Sequence, residues 1–248
     1  MTPSHQDRVA VVTGAAQGFG QATCRRLAER GADVVAIDIT EPTETIALIE
    51  QAGQKATGLR IDVTDPEQTQ RVEHEVRSRY GRCDILVNNV GVYPAIHMDE
   101  LTYDTWRKIL TINLDSQFLM TQAVLPLMKE AGWGRIVNLT SNSIGLTTPG
   151  LTAYVASKMG VIGFTRGLAN DLAPYGITAN AVGPTLSRTP GVESALPPQV
   201  LEQVAAVQAI KKIGEPDDIV GTILFLTSHD SYFVTGQTIM ADGGLVRL

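Results

Sequence analysis

Tyr154 and Lys158 are the side chains whose types and spacing most directly suggest chemistry. They stand four residues apart near the start of a helix predicted over 153–173, so they share one face of it and can converge on one site. A free phenol, with a pKa near 10, is a poor base at neutral pH, but a nearby cation can lower that pKa by about 1 to 3 units. The pair therefore predicts a tyrosine that acts as a general acid and base. Because this spacing is common on ordinary amphipathic helices, other residues must supply the context.

A serine supplies part of that context. Ser141 ends an apolar run predicted as a strand over 135–141, and open α/β sheets bind their ligands at the carboxyl ends of the strands. The serine hydroxyl could hold the oxygen of a substrate. Thr140, Asn142 and Ser143 offer polar groups at the same edge, so chemistry alone does not single out Ser141.

A glycine-rich turn lies near the start of the chain. A strand predicted over 9–13 runs into TGAAQGFG, in which Gly14, Gly18 and Gly20 open a helix predicted over 18–30. Glycines permit a tight turn, and the backbone N–H groups and the helix N-terminus favour a pyrophosphate. The spacing G-x-x-x-G-x-G differs from the general dinucleotide fingerprint, so a turn without a ligand is an alternative for the glycines alone.

An acidic residue ends the next predicted strand. That strand, over 32–38, ends at Asp38, about 20 residues past the glycine turn, where a carboxylate can bond the ribose hydroxyls of adenosine. The carboxylate would repel the 2′-phosphate of NADP, and Ile39 and Thr40 supply no cation to hold one. The sequence therefore predicts NAD as the cofactor, with an ordinary acidic strand end as the alternative.

Short apolar runs alternate with longer amphipathic stretches along the chain. The runs are nearly continuous, which is typical of strands buried on both faces of a parallel sheet. This rhythm predicts a single-domain, Rossmann-like, doubly wound α/β fold over residues 1–248, with helices on both faces of the sheet. Strands are predicted at 9–13, 32–38, 56–63, 84–89, 135–141 and 177–182, and helices at about 18–30, 43–53, 66–80, 103–131, 153–173 and 215–228.

One long segment, from 183 to about 214, fits neither pattern. It contains four prolines and interrupts the alternation of strands and helices. Irregular segments of this length inside a compact domain are usually functional loops, so this segment is predicted to be a substrate lid.

Composition disfavours several classes of protein. With 248 residues, 44% of them hydrophobic, and a formal net charge of −6, the chain can bury a large core but offers no basic face for nucleic acid. It has no run of about 18 apolar residues that would span a membrane, and its first residues lack the apolar core of a secretory signal, so a cytoplasmic protein is expected. Cys24 and Cys83 form no C-x-x-C motif, so neither a disulfide nor a metal site is predicted.

The motifs resemble those of the short-chain dehydrogenase/reductase family over essentially the whole chain. The glycine turn matches the family's cofactor turn, Asp62-Val63 matches its adenine contact, and Asn88-Asn89-Val90-Gly91 matches its N-N-A-G segment. The resemblance implies that the cofactor is held by Gly14, Gln17, Gly18, Phe19, Gly20, Asp38, Asp62, Val63, Asn89, Gly91, Tyr154, Lys158, Pro184 and Thr189.

The family's catalytic signature is matched by Asn113, Ser141, Tyr154 and Lys158. The resemblance implies that Tyr154 removes the hydroxyl proton of an alcohol as hydride leaves for the nicotinamide, and protonates the oxygen in the reverse reaction. Ser141 would position that oxygen. Lys158 would also bind the nicotinamide ribose, and Asn113 would hold a water that links Lys158 to solvent.

Three positions depart from the family pattern. Val90 stands where the family has alanine beside the cofactor, and Thr185 stands where it has a glycine after Pro184. The backbone freedom of that glycine is missing, so the resemblance does not fix the path of the lid. Gly145 comes one place later than the family's glycine, which could shift how the residues after Ser141 face the pocket.

Several stretches resemble members of the family that oxidise secondary aryl alcohols, such as 1-phenylethanol, or that oxidise pyridoxal. These stretches are 81–89, 91–94, 131–136 and 235–248. A small alcohol or ketone is therefore predicted as the substrate. The residues expected to contact it are Tyr93, Ser141, Asn142, Ser143, Leu186 and Val192.

Two other enzymes and one non-enzyme are the alternatives. A 3-oxoacyl thioester reductase is disfavoured by Asp38, because such reductases generally use NADPH, and by an entrance where only Arg188, Lys211 and Lys212 could offer cations to an acyl carrier. A polyol or sugar dehydrogenase remains open. An NAD-binding sensor without activity is disfavoured because the catalytic tyrosine, lysine and serine are all present.

The family commonly forms tetramers, through helices that correspond to 103–131 and 153–173 and through the C-terminal segment. The Gly/Ala-rich stretch 160–173 is compatible with helix packing across such an interface, and equally with packing against the sheet. An oligomer is therefore expected, and a homotetramer is implied by the resemblance alone.

Overall fold

The apolar runs of the sequence form the strands of one sheet. The computed structural model describes residues 4–247; residues 1–3 and 248 of the predicted domain, and with them part of the N-terminal stretch considered for a signal, lie outside the described part. The strands in this part are β1 (Val9–Thr13), β2 (Asp33–Asp38), β3 (Ala56–Arg60), β4 (Ile85–Asn88), β5 (Gly134–Leu139), β6 (Ile177–Pro184) and β7 (Thr238–Ala241). They pair in parallel in the order β3-β2-β1-β4-β5-β6-β7.

Helices cover both faces of this sheet. Across residues 4–247 they are α1 (Gly18–Ala28), α2 (Thr43–Gln51), α3 (Pro66–Tyr80), α4 (Tyr103–Leu110), α5 (Ser116–Ala131), α6 (Thr152–Leu172), α7 (Pro190–Ala195), α8 (Pro198–Val207) and α9 (Pro216–Thr227). Leu27 of α1 and Ile223 of α9 pack on one face, and Val76 of α3 and Met120 of α5 on the other. Every residue of β1, β4 and β5 is buried between these layers. The predicted doubly wound fold is confirmed.

The helix predicted over 103–131 contains one widened turn. A π-helical turn, Thr111–Asp115, joins α4 to α5, and Asn113 lies buried within it. Such turns are rare and are frequently found at functional sites. The predicted helix is thus correct in extent, and its middle turn is widened around the asparagine that the family resemblance singled out.

The segment predicted to be irregular contains α7 and α8, so that part of the prediction is wrong. Pro190 and Pro198 stand in the first turns of these helices. Thr189 caps α7, because its hydroxyl accepts a hydrogen bond from the Val192 N–H at 3.3 Å. Proline has the φ angle of the first helical position and lacks only an N–H that would be unpaired there. These two prolines therefore begin helices.

The last apolar run of the sequence, for which no strand was predicted, forms the edge strand β7. It pairs with β6, and Ala241 lies opposite Pro184. The carboxyl ends of β5, β6 and β7 are therefore neighbours, and the chain that follows β7 starts beside the edge where the polar residues of the site lie.

Three further observations concern residues 4–247. No helix among them is long and apolar enough to cross a membrane. They contain no group of three or more His, Cys, Asp or Glu side chains that could hold a metal ion. Cys24 and Cys83 are free and buried, and burial raises the pKa of both thiols, which keeps them protonated at neutral pH.

Candidate active site

A cleft of about 1200 Å³ opens at the carboxyl ends of the strands. It lies where the chain order of the sheet reverses between β1 and β4, the place where open α/β sheets bind ligands. Apart from Gly20 and Asn113, every residue that the sequence predicted for cofactor, substrate or catalysis lines this cleft. Gly20 and Asn113 lie behind the lining and support it.

The glycine turn presents backbone to the cleft. Gly14 and Gly18 have φ angles of +63° and +60°, which side chains rarely adopt. A Cβ on Gly20 would lie 2.0 Å from the Gly14 carbonyl oxygen, so only glycine fits there. The Asn89 amide donates to the carbonyls of Thr13 and Gly14, at 3.0 and 3.1 Å, and holds the turn in this shape.

Asp38 is held at the end of β2 by its neighbours. One carboxylate oxygen accepts from the Ala16 N–H at 2.9 Å, and the other accepts from the N–H and hydroxyl of Thr40, both at 3.1 Å. Arg60 lies opposite Asp38 in the sheet register, and its Nε donates to the Ile39 carbonyl at 3.1 Å. Asp38 and Ile39 line the cleft, whereas Arg60 is not among its described lining residues.

Asp62 and Val63 follow β3 and form another part of the cleft wall. The Asp62 carboxylate accepts from the N–H of Thr64 at 2.9 Å and from its hydroxyl at 2.7 Å, which closes a local turn. Val63 is buried beside it. The turn fixes a polar group and an apolar side chain next to each other, an arrangement that suits an aromatic base with polar edges.

These groups fit a dinucleotide. The glycine turn leaves room for a pyrophosphate at the first N–H groups of α1, where the helix dipole favours negative charge. Asp38 ends β2, the strand that pairs with β1, and lies where the adenosine ribose of a bound dinucleotide would follow its pyrophosphate.

Tyr154, Ser141 and Lys158 meet on the other side of the cleft. The Ser141 hydroxyl accepts from the Ser143 N–H at 3.1 Å and lies close enough to the phenol of Tyr154 to affect its pKa. Burial raises the pKa of Tyr154, and the hydrogen bond from Ser141 offsets part of that rise. The Tyr93 ring packs edge-on against the Tyr154 ring, with 6.3 Å between the ring centres.

Lys158 is fully buried, and burial lowers its pKa from 10.5 to about 8. Its ammonium donates to the Leu139 carbonyl at 2.8 Å and lies 5.9 Å from the centre of the Tyr154 ring. In the protein without cofactor, burial raises the pKa of Tyr154, and the lowered pKa expected from Lys158 together with bound NAD⁺ stays a prediction for the complex. The lysine points at a carbonyl, and burial disfavours the charged form of both groups.

Asn113 acts on the loop after β4. Its side-chain oxygen accepts from the Val92 N–H at 2.8 Å, and its amide donates to the Val92 carbonyl at 2.9 Å and to the Ser157 hydroxyl at 3.0 Å. A Cβ on Gly91 would lie 3.1 Å from the Lys158 ammonium. The side chain of Asn113 therefore holds this loop against the helix that carries Lys158.

The rest of the pocket wall is mostly apolar. Tyr93 comes from the loop after β4, and Leu186 and Val192 come from the lid. The Asn142 amide donates to Asp242 at 3.4 Å, and the buried hydroxyl of Ser143 has no hydrogen-bond partner in the described part of the chain. Sequence reasoning missed Leu146, Leu196, Val200 and Val204, which also line the cleft. Val200 and Val204 stand four residues apart, a helical spacing that could have revealed one face of α8; Leu196 precedes that helix.

Comparisons with known proteins bear on this site. A family model described as enoyl-(acyl carrier protein) reductase matches residues 14–246. A relative named (2S)-[(R)-hydroxy(phenyl)methyl]succinyl-CoA dehydrogenase subunit, from Thauera aromatica, is 40% identical over 241 residues, 96% of each chain. A 3-oxoacyl-[acyl-carrier-protein] reductase from Thermotoga maritima is 38% identical over 243 residues, 97% of this chain and 98% of its own. A crystal structure from Sinorhizobium meliloti, assigned provisionally as a short-chain alcohol dehydrogenase, has 35% identity and a TM-score of 0.92 and covers 98% of both chains.

The chain belongs to the short-chain dehydrogenase/reductase family. The family predicted from the motifs is therefore confirmed. As a member of the short-chain dehydrogenase/reductase family, the protein is an oxidoreductase that uses a nicotinamide cofactor, NAD or NADP, and acts on alcohol or ketone groups of small molecules.

Proposed function

We propose that this short-chain dehydrogenase/reductase transfers hydride between NAD and a small secondary alcohol or ketone with an apolar body. The observation that carries the proposal is the meeting of Tyr154, Ser141 and Lys158 beside an uncharged pocket wall. Among the described lining residues from the loop after β4, the turn after Ser141 and the lid, none carries a charge; the cations that line the cleft besides Lys158 are Arg107 and Lys108, which come from α4. A charged substrate would lose its hydration there without compensation.

In this proposal the chain moves the proton and holds the substrate. The Tyr154 phenolate accepts the hydroxyl proton during oxidation, and the phenol returns it during reduction. Ser141 has already accepted from the Ser143 N–H, so its own hydrogen is free to donate to the substrate oxygen. The Lys158 ammonium places positive charge near the phenol. It would also bind the nicotinamide ribose. When bound, the nicotinamide accepts or gives the hydride.

Asn113 takes part as a positioning residue in this proposal. Its side chain is occupied by Val92 and Ser157, so a water that links Lys158 to solvent would lie on the Asn113 backbone carbonyl, which also accepts from Gln117 at 3.2 Å. The widened turn around Asn113 favours this, because a π-turn weakens the regular helical bonding of its carbonyls.

The relatives support two substrate types. The name of the Thauera aromatica relative describes a succinyl-CoA thioester whose alcohol carbon bears a phenyl group; the phenyl group agrees with the apolar wall, and the thioester agrees with the second candidate. The Thermotoga maritima relative supports a 3-oxoacyl thioester as the second candidate. Two of the three cations considered for a carrier are paired here: Arg188 with Glu215 at 3.1 Å and Lys212 with Asp218 at 2.6 Å. This pairing favours the first candidate.

A substrate panel tests the proposal. The purified protein is assayed for NADH formation with 1-phenylethanol and cyclohexanol, with glycerol and a sugar alcohol, and in reverse with a 3-oxoacyl thioester and NADH or NADPH. We expect the highest kcat/KM for the apolar secondary alcohols. Turnover of the thioester alone would replace the proposed substrate class, and turnover of the polyols alone would favour the third alternative.

Asp38 is expected to select NAD over NADP. The carboxylate would accept hydrogen bonds from the ribose hydroxyls, and its charge opposes the 2′-phosphate. Replacing Asp38 by Ser should weaken NADH binding by about 10- to 100-fold, the worth of hydrogen bonds to a charged group, and strengthen NADPH binding because the negative charge that repels the 2′-phosphate is gone. Asp38→Asn is the matched control, because it keeps the shape and removes the charge.

Titration of cofactor fluorescence measures these affinities. The expected order for wild type is tight NADH and weak NADPH binding, with the preference reduced in Asp38→Asn and reversed in Asp38→Ser. Equal affinity of the wild-type protein for NADH and NADPH would contradict the role given to Asp38.

We infer that the chain forms a homotetramer through α5 and α6. Phe118 and Met159 are about half exposed on these helices, and Phe118 packs against Phe164 with 6.4 Å between the ring centres. Exposed apolar side chains grouped in this way mark interaction surfaces. Light scattering should give four chain masses, and Phe118→Glu should lower that number; a monomeric wild-type protein would contradict the inference.

A further inference from the structure

The short turn after Ser141 sets the direction of the serine hydroxyl. This serine turn, Asn142–Gly145, is one 3₁₀ turn that Ser141 caps. Because the Ser141 oxygen accepts from the Ser143 N–H at 3.1 Å, its hydrogen points away from that N–H and is available to the Tyr154 phenol, the neighbouring group in the cleft on which Ser141 acts. Any movement of the serine turn therefore moves the hydrogen bond between the serine and the tyrosine.

The chain that follows β7 holds the first residue of the serine turn. Asp242 is 1% exposed, and one of its carboxylate oxygens accepts from the Asn142 amide at 3.4 Å and from the Val246 N–H at 2.7 Å. The other oxygen accepts from the N–H groups of Gly244 and Leu245, at 3.0 and 3.2 Å. Three of these four hydrogen bonds shape the carboxylate's own segment, and the fourth binds the serine turn.

The same segment also holds the last residue of the serine turn. A Cβ on Gly145 would lie 2.4 Å from a methyl carbon of Val246, so the valine packs directly on the glycine backbone. Asp242 at one end and Val246 at the other therefore fix both ends of the turn. A carboxylate binding several N–H groups is a strong and directional anchor.

The C-terminal segment is tied to the lid as well. The Ile210 N–H donates to the Gly243 carbonyl at 2.8 Å, just past the end of α8. Gln208 packs on Gly243 and accepts from the buried Thr185 hydroxyl at 2.8 Å. Thr185, which replaces the family's glycine, therefore joins the start of the lid to its end through the hydrogen bond to Gln208. The segment Asp242–Val246 joins this lid base to the serine turn.

We propose that Asp242 is a positioning residue that fixes the Ser141 hydroxyl against Tyr154 through the serine turn. The inference rests on the proposed function, which gives Ser141 and Tyr154 their roles. Asparagine at position 242 would carry an NH₂ group in place of one carboxylate oxygen, and an NH₂ group cannot accept from the N–H groups that now bind there. Asp242→Asn therefore breaks either the contact with Asn142 or the hydrogen bonds within the segment 242–246. The serine turn is then no longer fixed by the segment 242–246, and the distance between the Ser141 and Tyr154 hydroxyls increases.

The first readout needs neither cofactor nor substrate. Tyrosine is labelled with ¹³C at Cζ, whose NMR shift reports the hydrogen bond at the phenol oxygen, and the Tyr154 signal is identified by its loss in Tyr154→Phe. Ser141→Ala gives the shift expected when the hydrogen bond is absent. We expect Asp242→Asn to move the Tyr154 signal in the same direction, by most of that amount. An unmoved signal in a folded Asp242→Asn protein, while Ser141→Ala moves it, would overturn the proposal.

A second pair of variants, at Gly145 and Val246, tests the proposal if Asp242→Asn does not fold. Gly145→Ala drives a methyl group into Val246 and should displace the serine turn with Asp242 intact. Adding Val246→Ala removes the clash. We expect Gly145→Ala to move the Tyr154 signal and the double variant Gly145→Ala/Val246→Ala to restore it. A Tyr154 signal that stays unmoved in both Gly145→Ala and the double variant would also overturn the proposal.

Activity gives the second readout. In the same variants kcat/KM for the alcohol should fall by about 10- to 100-fold, the cost of misplacing a positioning group, and NADH affinity should stay within about twofold. If wild type turns over nothing on the panel but the NMR signals move as expected, the proposed function fails and the positioning role stands. If turnover is present and the signals stay fixed, the inference fails alone.

Discussion

Phenylalanine at position 154 is expected to lower kcat by about 10²- to 10⁴-fold while leaving NADH binding within about twofold. General acid and base catalysis by a positioned side chain contributes roughly 10²- to 10⁴-fold, and neither Ser141 nor Lys158, the groups that meet Tyr154, is suited to take over the proton. Ser141 lacks a suitable pKa, and Lys158 points at the Leu139 carbonyl. The ring of phenylalanine keeps the packing against Tyr93, so the cleft should keep its shape.

Tyr175→Phe is the matched control for this change. Tyr175 is 43% exposed, far from the cleft lining, and loses the same hydroxyl. Stopped-flow or steady-state formation of NADH measures kcat, and fluorescence titration measures NADH affinity. Retention of most of the activity in Tyr154→Phe, or an equal loss in Tyr175→Phe, would refute the role of Tyr154.

Methionine at position 158 is expected to abolish activity and to raise the free energy of unfolding at pH 7. The pKa of Lys158 falls from 10.5 to about 8 on burial, and at roughly 1.4 kcal/mol per unit the buried ammonium costs on the order of 3 kcal/mol. Methionine removes that cost and loses one hydrogen bond, to the Leu139 carbonyl, which Gln117 still reaches at 3.4 Å. A net gain of about 1 to 3 kcal/mol is expected.

The pH dependence of the stability gain shows whether it comes from removal of the buried charge or from better packing of methionine. Below pH 8 Lys158 is protonated in the folded and the unfolded chain, so the cost is fully present. Between about 8 and 10.5 only the unfolded chain keeps the proton, so the stability of wild type rises and the advantage of the variant shrinks. Urea unfolding at pH 7 and pH 9.5 measures this, with the exposed Lys55→Met as control. A variant less stable than wild type at pH 7 would contradict the burial cost.

Local patterns were sufficient to predict most of the cofactor half of the site. The turn containing Gly14, Gly18 and Gly20 has a conformation that few other residues adopt, and Asp38 ends a buried strand, so sequence position alone placed them at the sheet edge. Tyr154 and Lys158 share a helix face by spacing. Such features depend on contacts within a few residues, which is why they could be recognised without the fold.

Features that depend on distant contacts could not be predicted in this way. The Lys158 ammonium binds the carbonyl of Leu139, and Asp242 binds Asn142 across 100 residues of chain. Nothing in the local sequence of Asp242 distinguishes it from a solvated turn residue. The burial that raises the pKa of Tyr154 could not be predicted either, because it depends on how distant parts of the chain pack together.

Transfer of a deuterium label tests the central claim most directly. The best alcohol from the panel is prepared with deuterium on the carbon that bears the hydroxyl, incubated with NAD⁺ and the protein, and the reduced cofactor is analysed by mass spectrometry. The account predicts NADH carrying the deuterium from wild type and from Tyr175→Phe, and none above background from Tyr154→Phe. Deuterium released into water, or label transferred at the wild-type rate by Tyr154→Phe, would contradict it.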